Sequence, residues 1–123
     1  MRVKIGETEI VWDNLNPDFA KSFVIDFVFE TVQLLKAEVV DCDDDKDVKN
    51  RLIGSTEFEL GRLIGSQNNT LILPLIEDKK TNGNIIVRSE KVARDNDILT
   101  LDFMVASVPA GGFCCVQPKY FIE

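Results

Sequence analysis

At 123 residues, with a net charge of −7 and no histidine, the chain fits one domain that can bury a core. The missing imidazole rules out Ser-His-Asp and Cys-His catalysis and every histidine-containing zinc site. The negative charge argues against non-specific nucleic-acid binding, which needs a basic face.

No apolar run approaches the ~20 residues needed to span a bilayer. Met1 to Ile10 alternates charged and apolar residues, unlike a secretory signal. The cysteines are odd in number, and two are adjacent: Cys42, Cys114 and Cys115. They point to a reducing compartment rather than a disulfide framework, so the Asn68-Asn69-Thr70 sequon is expected to stay unglycosylated.

In chain order, Arg2 to Trp12 reads as extended and half polar, and Pro17 then holds Asn16 out of the α region. From Phe23 the alternation is strict. Phe23, Ile25, Phe27 and Phe29 share one face, with Val24, Asp26, Val28 and Glu30 on the other. Leu35, Ala37 and Val39 continue the pattern up to Asp41. Leu52 to Leu60 and Thr70 to Ile76 are further strands, with one helical turn or a corner at Gly61 to Ser66. Lys79 to Asn84 reads as a turn on the strength of Asn82-Gly83. Ile85 to Val92, Ile98 to Val105 and a short Lys119 to Glu123 complete the set. Eight strands and no convincing helix predict an all-β, antiparallel sandwich in a single domain, 1–123.

One constellation carries candidate chemistry. Asp41, Asp43, Asp44, Asp45 and Asp47 put five carboxylates into seven residues. Such crowding is costly unless the charges are solvated, paired or neutralised by a cation. Hard oxygen ligands suit Ca²⁺. Asp41 and Asp43, two apart where a strand ends, project to the same side in extended geometry. An EF-hand is excluded, because Lys46 stands at the glycine position, Leu52 at the final glutamate position, and the flanks are strands. A solvated acidic turn is the plain alternative.

Gly6-Glu7-Thr8-Glu9-Ile10, Asp13-Asn14-Leu15-Asn16-Pro17 and Phe23-Val24-Ile25-Asp26-Phe27 carry a resemblance to a known family. Phe29-Glu30, Val32-Gln33, Asp41-Cys42-Asp43 and Leu52-Ile53-Gly54 extend it. Together they resemble the first C2 domain of the copine family, calcium-responsive phospholipid-binding proteins of the cytosol. The resemblance implies a C2-type sandwich. Two strands and an acidic loop that precede Arg2 in the family are absent, whereas 98–123 resembles the first two strands of a following C2 domain. Leu99, Leu101, Phe103 and Val105, with Tyr120 and Ile122, are therefore expected to fold back into those positions as a circular permutation.

By the same resemblance, Asp41 and Asp43 take the paired metal-ligand positions. The family's third carboxylate falls where this chain has Asn50 and Arg51, so Asp47 is expected to reach round as the third ligand, with Asp44 and Asp45 as additional candidates. The partner loop would be Val108 to Pro118, which holds no carboxylate, so weak Ca²⁺ affinity is expected.

Phe113 at a loop tip is a candidate for membrane contact, beside a core role. Cys114-Cys115 is weighed as a lipidation or redox pair against buried thiols, and Trp12 as a sandwich anchor against a ligand-stacking residue. Arg2, Lys4, Lys79, Lys80, Arg88, Lys91 and Arg94 look scattered, although Lys79-Lys80 or Lys91 with Arg94 could serve as a phosphoinositide patch.

The expected function is calcium-dependent docking to anionic phospholipid surfaces, in the cytoplasm and peripheral at the plasma membrane. The alternative is a calcium-independent protein-interaction or scaffold module with degenerate metal loops. No nucleophile sits with a base, so catalysis is not expected. An unclosed sandwich would be expected to dimerise.

Overall fold

Strict alternation of buried and half-buried residues runs the length of Ile98–Ala106, where Leu99, Leu101, Phe103 and Val105 are at most 1% exposed. A strand that hides one face so completely must lie inside a sheet. The computed structural model describes residues 2–12, 16–28, 31–41, 51–92, 98–106 and 113–121. Its strands are β1 (Arg2–Lys4), β2 (Val11–Trp12), β3 (Phe23–Asp26), β4 (Leu34–Asp41), β5 (Arg51–Glu59), β6 (Thr70–Glu77), β7 (Lys80–Lys91), β8 (Ile98–Ala106) and β9 (Phe113–Phe121). A short helix, α1 (Leu60–Ile64), follows β5 and plugs the core with Leu60 and Leu63.

All pairings are antiparallel, in the order β1-β9-β4-β5-β6-β7-β8-β3, with β2 also on β9. Between β5 and β6 the register records one pair, Ser55 with Ile76. That narrow seam divides the path into two halves whose apolar faces meet. Leu35, Ala37, Val39, Phe58 and Val116 come from one half; Leu71, Leu73, Leu75, Ile85, Val87 and the β8 residues come from the other. The result is a sandwich.

The C-terminal segment does fold back. β8 lies between β7 and β3, and β9 lies between β1 and β4. Tyr120 pairs with Val3 and Leu35, and Ile122 falls outside the described residues.

Three details depart from expectation. First, the described residues form nine strands rather than eight, because Arg2 to Trp12 is interrupted. Lys4 pairs with Lys119 and Val11 with Cys114, so the first segment carries two residues more than β9 over the same stretch. The cause is Pro118, whose carbonyl accepts from Ile5 N–H at 2.8 Å and so turns its N–H-less nitrogen to the same side. The ladder cannot close there, and the chain bulges away.

Second, that relief lets a proline sit inside a central strand, so β9 runs over Phe113–Phe121 instead of beginning at Lys119. Residues 113–118, expected as loop, are strand.

Third, the hairpin turns at Asp78-Lys79, both left-handed with φ of 47° and 65°, and not at Asn82-Gly83. Gly83, at φ 92°, instead serves the bulge between the Pro74–Asn84 and Ile76–Thr81 pairs, opposite Leu75. The Asn82 side chain donates to the Ile53 carbonyl at 2.8 Å, bracing β7 against β5.

Candidate functional site

The carboxylate-rich segment leaves the sheet where three strands come level. Asp41, the last residue of β4, is in register with Arg51 of β5 and Cys114 of β9. Cys114 in turn faces Val11, and Phe113 faces Trp12. Asp41, Arg51, Trp12 and Phe113 therefore all stand at one rim of the sheet. Asp43, Asp44, Asp45 and Asp47 lie outside the described residues, and for Asp41 the backbone position alone is described. Phe113 starts β9 rather than standing at a loop tip.

Below the rim, Val40 is 6% exposed and packs with Ile10 and Leu52 into a small second core on the outer side of the sheet. This cluster stiffens the base from which the acidic segment departs.

Whether this rim suits Ca²⁺ can be judged from its donor chemistry. The β4–β5 connection carries Asp43, Asp44, Asp45 and Asp47 next to Asp41, all hard oxygen donors. The neighbouring connection, Ser107-Val108-Pro109-Ala110-Gly111-Gly112, carries no side-chain carboxylate. In donor chemistry the 41–47 sequence thus suits Ca²⁺.

The register also assembles a feature that linear reading missed. Lys4 of β1 pairs with Lys119 of β9, and Lys119 pairs with Lys36 of β4. Leu35, Ala37 and Val116 are buried, so their alternate neighbours point outward, and the three lysines form one row across the sheet. Neighbouring strands lie ~4.8 Å apart, so the row spans about 10 Å, and it sits about 17 Å below Asp41 at ~3.3 Å per residue. Each of the three has a carboxylate neighbour: Lys4 pairs with Glu7, Lys119 with Glu38 at 2.6 Å, and Lys36 lies in register with Glu57 of β5. Lysines from strands far apart in sequence carry no local signal. Only their outward phase in each alternating run hinted at a common face.

Glu9 lies in the bulged segment between β1 and β2. Its carboxylate accepts from the Ala20 N–H at 2.6 Å and the Lys21 N–H at 3.2 Å, tying 16–22 to the β1–β2 bulge. Desolvation pushes its pKa up. The backbone donors and the Lys21 charge outweigh that and hold the group below the usual carboxylate value.

The comparisons with known proteins bear on this geometry. The model of the C2 domain family matches residues 1–75. Copine-B of Dictyostelium discoideum is 36% identical over 95 residues, covering 72% of this chain and 18% of its own length. Copine-E of the same organism is 37% identical over 90 residues, 73% of this chain and 15% of its own length. Copine-A is 34% identical over 101 residues, 80% and 16% respectively. The chain thus spans about a sixth of the curated relatives that it matches. No solved structure matches it.

Proposed function

Because the chain belongs to the C2 domain family, we propose that it is a calcium-dependent phospholipid-docking module, non-catalytic, acting at the cytoplasmic face of the plasma membrane. The observation that carries this reading is that the run of aspartates in the sequence begins where β4 ends, at Asp41. Asp41, Asp43 and Asp47 would hold Ca²⁺, with Asp44 and Asp45 within reach along the chain. The ion supplies the local positive charge that a chain of net −7 lacks. Since the 107–112 side brings no carboxylate, lipid phosphate oxygens complete the ligand set, and metal and headgroup bind together.

The test is sedimentation with phosphatidylserine vesicles, with and without Ca²⁺, comparing the wild type with Asp41→Asn and Asp43→Asn. Pelleting that needs Ca²⁺ and is lost in both variants supports docking. The melting midpoint gives a second readout, since a ligand of the folded form raises it. Ca²⁺ should move it more with vesicles present than alone.

The empty acid count of 107–112 favours one other reading, a calcium-independent protein-interaction or scaffold module. Vesicle binding and melting that ignore Ca²⁺ and both substitutions would select it.

A further inference from the structure

Among the described residues, β1 and β3 are the two ends of the strand path and pair with a strand on one side only. Beside β3 lies a cleft of about 370 Å³ walled by Val24, Ile25, Val32 and Leu34. A second groove adjoins it through Val32 and reaches Phe27 and Ile64. Val24, Val28 and Val32 are 66%, 51% and 69% exposed, a concentration of aliphatic surface at one short edge. Such an edge invites pairing with another strand.

Gln33 indicates what the edge accepts. Its side-chain amide donates to the Asp26 carbonyl at 2.9 Å, and its oxygen accepts from the Val28 N–H at 2.8 Å. One residue of an adjacent parallel strand, whose N–H and C=O point to the same side, would offer the same donor and acceptor. The side chain stands in for a strand and guards the edge.

Charge narrows the choice of occupant. Among the described lining residues of both grooves the ionisable groups are Asp26 and Glu59, and none is basic. A second copy paired through β3 would bring Asp26 and another chain of net −7 against the same acidic edge. An anionic membrane is repelled for the same reason. A basic, extended peptide is attracted.

We propose that this edge binds an extended peptide segment of another protein, with alternating aliphatic and basic residues. The peptide adds to β3 in place of the Gln33 amide, its aliphatic side chains enter the cleft, and its cations face Asp26 and Glu59. The site is independent of the calcium rim, so the two readings fail or survive separately.

The experiment titrates the full chain, by fluorescence anisotropy, with an end-blocked peptide of about six residues alternating Val and Lys. One control peptide has Glu for Lys; another has Pro at alternate positions, which removes backbone donors without removing charge. The Val-Lys peptide should bind at least about tenfold more tightly than either control, and Asp26→Lys should weaken it about tenfold. Gln33→Ala, checked for a cooperative melt, should tighten it by uncovering the Asp26 carbonyl and the Val28 N–H. The proposal is overturned if the proline peptide binds equally, if Asp26→Lys leaves binding unchanged, or if no binding is found. A dimer in light scattering that Val24→Lys dissolves would also overturn it, by assigning the edge to a second copy.

Discussion

Thr8 satisfies both backbone polar groups of Val116. Its N–H donates to the Val116 carbonyl at 2.9 Å, and its hydroxyl accepts from the Val116 N–H at 2.8 Å while donating to the Glu9 carbonyl at 3.0 Å. A side chain thus supplies the ladder contact that the β1–β2 bulge cannot. Val116 is fully buried and Thr8 is 6% exposed, so water cannot replace the lost acceptor.

Thr8→Val should therefore lower the unfolding free energy by about 1–3 kcal/mol, the cost of an unsatisfied buried donor. Thr8→Ser keeps the hydroxyl and should lose less. Urea denaturation of the three proteins checks this; a Thr8→Val loss no larger than that of Thr8→Ser would overturn the role given to the hydroxyl.

Gly54 marks the seam between the two halves. A Cβ built there would stand 2.8 Å from the Leu75 Cβ and 3.1 Å from its carbonyl carbon, both on the β6 backbone or one bond from it. Neither neighbour can swing aside. Gly54→Ala should cost about 1–3 kcal/mol by forcing β5 and β6 apart. Because Ser55 with Ile76 is the recorded register pair at that seam, the loss should accompany faster amide exchange in β5 and β6 than in β7 and β8, measurable by NMR.

The strands were legible where burial imposes period two. Leu35, Ala37 and Val39, Leu71, Leu73 and Leu75, and Leu99 to Val105 are each read correctly, since every alternate side chain meets the core. What failed was decided by partners. Pro118 looked like loop because a proline spoils a ladder, yet its nitrogen faces a bulge formed by residues 108 and more positions away in sequence, as the Thr8–Val116 contact shows. Asp78-Lys79 lacked the glycine that a left-handed turn usually recruits, and Asn82-Gly83 drew attention instead. The rim was legible in part: Asp41 ends a strand as its position suggested, but register alone lined up Lys4, Lys119 and Lys36.

Phe103 tests how much the fold depends on β8. Its ring is 1% exposed and meets the Phe23 ring edge-on, with centroids 5.8 Å apart and planes at 68°. Phe103→Ala should cost about 3–5 kcal/mol. A double-mutant cycle with Phe23→Ala should yield a coupling of about 0.5–1.5 kcal/mol for the ring pair. Coupling near zero would mean that the two rings merely share the core.

Glu9 gives the chain an acid-sensitive clasp. The Ala20 and Lys21 N–H donors bind its carboxylate form, so the folded pKa lies below the ordinary value of 4.5. A depressed carboxyl contributes stability that is fully present above the unfolded pKa and is lost as pH falls through the folded one. Glu9→Gln keeps an oxygen acceptor and removes the titration. The wild type should therefore exceed the variant in melting temperature by a constant amount above pH 4.5. Below that pH the gap should narrow and then close. The group is largely exposed, which keeps the gap small, and salt should shrink only the share owed to Lys21, because hydrogen bonds to the backbone are not screened as distant charges are. Melting curves of both proteins down the acid limb decide the matter: parallel curves would mean that the clasp does not sense its own charge.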